Sequence, residues 1–95
     1  MEHKIIISFD LHEADDEDYA LAYTILADYN LEKYSLNKKL DLPDTTVMGT
    51  MNSEYLKATD LRDYFWRLFK DNGLKPKRLI GGILEDWAVK EDSKL

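Results

Sequence analysis

Asp10 closes the most apolar run of the chain, "IIISFDL", and Glu13, Asp15, Asp16, Glu17 and Asp18 follow it closely. A carboxylate leaving an apolar strand is costly unless it meets water, a hydrogen-bond donor or a cation. Asp10 is therefore the candidate catalytic and metal-binding residue. Two copies brought together across a two-fold axis could share Mg²⁺ and a water. A turn residue that is simply solvated is the plainer reading. The five acids after it are candidate binding residues for a basic partner, although acids in the first turn also favour a helix electrostatically. They are not a calcium loop. Counted from Asp10, the position that needs glycine is Asp15, and the closing glutamate is replaced by Leu21.

The other reactive residue types form no set. His12 lies near the acids and could ligate or carry protons, but His3 and His12 lack the spacing of a helical metal pair. Ser8 and Ser53 have no evident base nearby in sequence. "GG" at Gly81–Gly82 lacks the Lys-Ser/Thr of a phosphate loop and reads as a bulge or a close backbone approach. The chain has no cysteine, which removes thiol nucleophiles, thiolate metal sites and disulfides.

Charge is located rather than spread. Residues 1–18 hold seven acids against Lys4, whereas residues 19–95 hold twelve acids and twelve bases, so the net charge of −6 belongs to the first 18 residues. Nucleic-acid binders show the opposite sign over a broad face, and the balance disfavours that class. Lys33, Lys38 and Lys39, and the stretch Arg67, Lys70, Lys75, Lys77 and Arg78, are the basic concentrations and read as solvated faces. No run approaches the ~20 apolar residues of a membrane span, and "MEHKIIISF" is too quickly charged for a secretory signal. Cytoplasmic location is the expectation.

The elements that must position these residues follow from periodicity. His3 to Leu11 alternates as a strand, with Ile5, Ile7, Phe9 and Leu11 on one face and Ile6, Ser8 and Asp10 on the other. A helix capped near Asp15 or Asp16 carries Ala22, Ile25, Leu26 and Tyr29 on one side, and Asn30 offers a left-handed stop. A short strand over Lys33–Lys38, a turn at Pro43–Asp44 and a strand over Thr45–Met51 come next. A second helix, Asp60–Asp71 with Thr59 as cap, is amphipathic through Leu61, Tyr64, Phe65, Leu68 and Phe69. "DNG" ends it, Pro76 bars its continuation, "KRLIGGILEDW" is the last strand, and residues 89–95 read as a flexible tail. The order β-α-β-β-α-β in one domain, residues 1–95, predicts an α+β, ferredoxin-like fold. Its four-stranded antiparallel sheet would carry both helices on one face.

Two helices cover only one face of such a sheet. Ile6, Ile80 and Leu84, with Met48 or Met51, fall on the other, and an apolar open face marks a partner surface. A homodimer through that face, or through pairing of terminal strands, is the expectation.

The strand ending "SFDL" (Phe9–Asp10), the helix motif "LRD" (Leu61, Arg62, Asp63) and the late "DWA" (Asp86, Trp87, Ala88) resemble small Cas2-like and VapD-like proteins of the CRISPR-associated group. The resemblance implies homodimers and a setting in phage or defence biology. It also implies a divalent-metal and nuclease role for Asp10, the one family site residue that matches. Two functions compete. One is a non-catalytic, dimeric interaction module with the acids as docking loop and no cofactor. The other is an endonuclease acting on RNA or DNA with Mg²⁺ at Asp10.

Overall fold

Alternation holds in the first strand, and the chain departs from the expected order only in its middle. The structure, a computed structural model, describes residues 1–36 and 40–90. Its elements are β1 (Glu2–Leu11), α1 (Asp16–Ala27), β2 (Thr46–Asn52), α2 (Ala58–Asp71) and β3 (Pro76–Leu84). The strands form one antiparallel sheet in the order β2-β1-β3. The α+β class is as expected. The sheet has three strands among the described residues, which corrects the four-stranded βαββαβ expectation.

The missing strand has a local cause. Glu32 reaches the outer edge of β2 and exchanges both backbone hydrogen bonds with Met48, at 2.9 and 2.8 Å. Beyond it the chain pairs with itself instead. Tyr34 bridges Asp41, Ser35 N–H donates to the Leu40 carbonyl at 2.8 Å, and Leu42 N–H donates to Lys33 at 3.0 Å. Contacts between residues this close in sequence form at less entropic cost than a strand paired along β2. Part of the expected strand, Asn37 and Lys38, lies outside the described residues, as does Lys39.

Both helices pack on the face that carries Ile5, Ile7, Phe9 and Leu11. Ala22, Ile25 and Leu26 of α1 and Leu61, Phe65 and Phe69 of α2 complete the core. The Phe9 ring sits at its centre, 5.9 Å from Tyr23 and 5.3 Å from Phe69, both edge-on. Phe65 meets Tyr29 edge-on at 5.3 Å and joins the helices.

The helix ends are set by chemistry visible in the sequence, with one exception. Asp15 caps α1: its carboxylate accepts from Asp18 N–H at 2.9 Å, while Asp18 accepts from Asp15 N–H at 3.2 Å. Asn30 (φ 62°) and Gly73 (φ 82°) close the two helices in the same way. Leu31 N–H returns to Leu26 and Leu74 N–H returns to Phe69, both at 3.0 Å, and both leucines are buried. Thr59 is not the cap of α2. Lys57 holds that position and makes no side-chain cap hydrogen bond. The flanking apolar positions, Leu56 and Leu61, both pack into the core and set the entry angle instead.

Candidate functional site

Register fixes what the helix-free face carries. Ile6 lies opposite Met48 and Gly82, Ser8 opposite Thr46 and Ile80, Lys4 opposite Leu84, and Asp10 opposite Arg78. Facing residues of antiparallel strands point the same way, so these side chains share the face turned from the core. Met48 is the methionine on it, since Met51 lies opposite His3 and packs with the core. Ser8 and Thr46 hydroxyls meet at 3.2 Å, which gives Ser8 a structural partner rather than a catalytic base.

The predicted dimer face is not uniformly open. Residues 86–90, after β3, border a groove of about 540 Å³ together with Ile6, Met48, Leu84 and the loop residues Leu42 and Pro43. Trp87 and Val89 are half-buried there, as are Ile6 and Leu84, so Val89 and Lys90 of the expected tail line a groove. Residues 91–95 lie outside the described residues. Ile80 stands apart at 68% exposure.

Asp10 sits half-buried at the exit of β1 on this same face, and the acidic loop turns away from it toward α1. Its carboxylate has no hydrogen bond or ion pair among the described residues, although Arg78 is its cross-strand neighbour. Among those residues no three histidine, aspartate or glutamate side chains converge as metal ligands. His12 is exposed, with its backbone N–H bonded to the Lys75 carbonyl at 2.7 Å. His3 lies near the other end of β1, its Nε2 3.0 Å from the Ser53 carbonyl. The Ser53 hydroxyl donates to the Tyr55 carbonyl.

The five loop acids divide by role. Asp15 and Asp18 form the reciprocal cap. Glu13, held at φ 45°, pairs with Lys75 at 3.4 Å where both are exposed, an arrangement that contributes little to stability. Asp16 and Glu17 point into solvent in the first turn of α1 and take part in neither arrangement.

The remaining motif residues are spread across the molecule. Arg62 and Asp63 pair at 2.8 Å on the exposed side of α2, and this bond holds the Asp63 carboxyl below its ordinary range and raises Arg62. Asp86, Trp87 and Ala88 border the groove. The Tyr64 phenol bonds that of Tyr29, and this bond, with burial second, raises Tyr29 above the ordinary phenol range. Sequence reasoning missed the groove. Its signal was the apolar pair Trp87 and Val89 flanking Ala88.

No described helix is long and apolar enough to cross a membrane. Compared with protein-family models, with curated proteins and with solved structures, the chain matches none.

Proposed function

We propose that this chain is a non-catalytic interaction module that self-associates on its β3 side and recruits a basic protein through its acidic end. One observation carries the second half: folding uses only part of the local acid. The cap takes Asp15 and Asp18 and the Lys75 bridge takes Glu13, while Asp16 and Glu17 stay exposed in the first turn. Solvent-facing charges of one sign act mainly by steering encounter. The exposed Ile80, on the apolar face expected to self-associate, supports the first half.

The endonuclease reading keeps one observation in its favour, the carboxylate of Asp10, which has no partner among the described residues. The test compares the two. A lysine-rich peptide titrated into the labelled protein should shift resonances of residues 12–18, more weakly as salt rises, and much less in Asp16→Asn/Glu17→Gln. Thermal stability should barely change in that variant, because the cap is intact. Peptide binding indifferent to the double substitution would remove the docking reading. Mg²⁺-dependent cleavage of RNA or DNA, lost in Asp10→Asn, would replace it with the nuclease.

A further inference from the structure

The outer edge of β3 is unpaired among the described residues, and the direction of its backbone groups can be derived. Met48 exchanges both of its bonds with Glu32, away from β1. Backbone groups alternate direction along a strand, so Val47 and Gly49 serve β1 through Ile7 and Ile5. Ile6 and Ser8 then turn the other way, to Gly82 and Ile80 of β3. What remains on β3, the N–H and C=O groups of Leu79, Gly81 and Ile83, points outward.

Such an edge is a template for another strand unless it is blunted. Here the charges stand at its ends and differ in sign: Lys77 and Arg78 before the apolar centre "LIGGIL", Glu85 and Asp86 after it. None of these four side chains has a hydrogen bond or ion pair among the described residues. Antiparallel, two-fold pairing brings the basic end of one copy against the acidic end of the other. We infer that β3 pairs with β3 of a second copy to form one continuous six-stranded sheet. This rests on the reading that the chain self-associates and gives its mode.

The register follows from side-chain direction. Facing residues must share a face, so the two-fold axis passes through a residue, not between two. Centred on Gly81, the arrangement sets Leu79 against the partner's Ile83, Lys77 against the partner's Glu85, and Gly81 against its own copy. Every outward group of Leu79, Gly81 and Ile83 is then paired. Arg78 lies diagonal to the partner's Asp86.

A second feature points to the same seam. Tyr64 turns toward α1, so the opposite flank of α2 carries Arg62 and Trp66. That flank overlies β3: a methyl group on Gly81 would lie 3.6 Å from the Arg62 backbone nitrogen. Trp66 on this flank is half-buried, as are Leu79 and Ile83, which pack against the core. Two copies joined at β3 bring both flanks together over the junction.

The test measures amide hydrogen exchange and light scattering on one sample of the unmodified protein. A species of twice the 11.1 kDa chain mass, with the amides of Leu79, Gly81 and Ile83 slowed about 100-fold or more relative to an unprotected peptide, supports the inference. A dimer whose three amides exchange freely overturns edge pairing and leaves self-association standing. A monomer at submillimolar concentration overturns both. The register is read separately. Because the chain has no cysteine, Leu79→Cys/Ile83→Cys should oxidise to a covalent dimer while either single variant does not. Protected amides without that cross-link would overturn the Gly81-centred register.

Discussion

Replacing Gly49 by alanine should destabilise the protein strongly, against the usual direction for a strand glycine. Elsewhere in a strand the change would gain up to about 1 kcal/mol by restricting the unfolded chain. At Gly49 the added methyl group would lie 2.0 Å from the Asn30 carbonyl oxygen and 3.1 Å from the Leu31 side chain. The obstacle is backbone, so no rotamer change relieves it. The α1–β2 connection must move by an ångström or more, which breaks the adjacent pair of Glu32–Met48 hydrogen bonds. Those two bonds contribute about 1 kcal/mol each. Displacing Leu31, fully buried, adds a partial cavity of about 1–2 kcal/mol. The net expectation is a loss of about 2–4 kcal/mol, read as a fall of roughly 1–3 M in the urea midpoint. Gly82→Ala is the comparison: its methyl would meet only the movable Ile6 side chain at 3.2 Å, and the loss should stay below about 1 kcal/mol. A Gly49→Ala protein as stable as its parent would refute the close approach on which this reasoning rests.

Three further outcomes are expected. Phe65→Ala, at a fully buried position that joins both helices, should lower stability by about 3–5 kcal/mol in denaturant titrations. A loss under 1 kcal/mol would mean the core is organised differently. Asp15→Ala removes the carboxylate that caps α1 and should cost about 1 kcal/mol in the same assay, with Asp16→Ala as a near-neutral control. Tyr29, whose phenol is raised by its bond to Tyr64, holds its proton more tightly folded than unfolded. Its contribution is therefore complete below the unfolded phenol value and lost as pH rises through the folded one. Ultraviolet titration should show Tyr29 ionising at lower pH in Tyr64→Phe, and an unchanged curve would contradict the assigned partner.

How far the sequence carried the reading depended on whether one local signal dominated. In β1 the alternation of Ile5, Ile7, Phe9 and Leu11 has no rival, and the structure buries all four. Asp15, Asn30 and Gly73 act through their own backbone neighbourhood, so their roles were legible from type and position. The residues after Leu31 were not, because bridging Met48 competes with a local turn to Leu40 and Leu42, and the two differ only in loop closure. The start of α2 was misplaced because a hydroxyl at Thr59 suggested a cap, while leucines at 56 and 61 set the entry. At the site, the division of the acids between capping and solvent needed coordinates. So did the groove beside Trp87, which depends on where residues 86–90 turn after β3.

The contact between Gly49 and Asn30 also governs how this chain could change length. With Asn30 pressed on Gly49 and Glu32 bonded to Met48, the connection between α1 and β2 leaves and rejoins the body at nearly one point. A loop with clamped ends can be lengthened for about 0.6 kcal/mol per doubling, without moving α1 or β2. The clamp thus separates two kinds of inheritance. Exposed residues of the loop are free to drift in number and type, while the buried Ser35 and Leu42 and the glycine at position 49 hold it to the body.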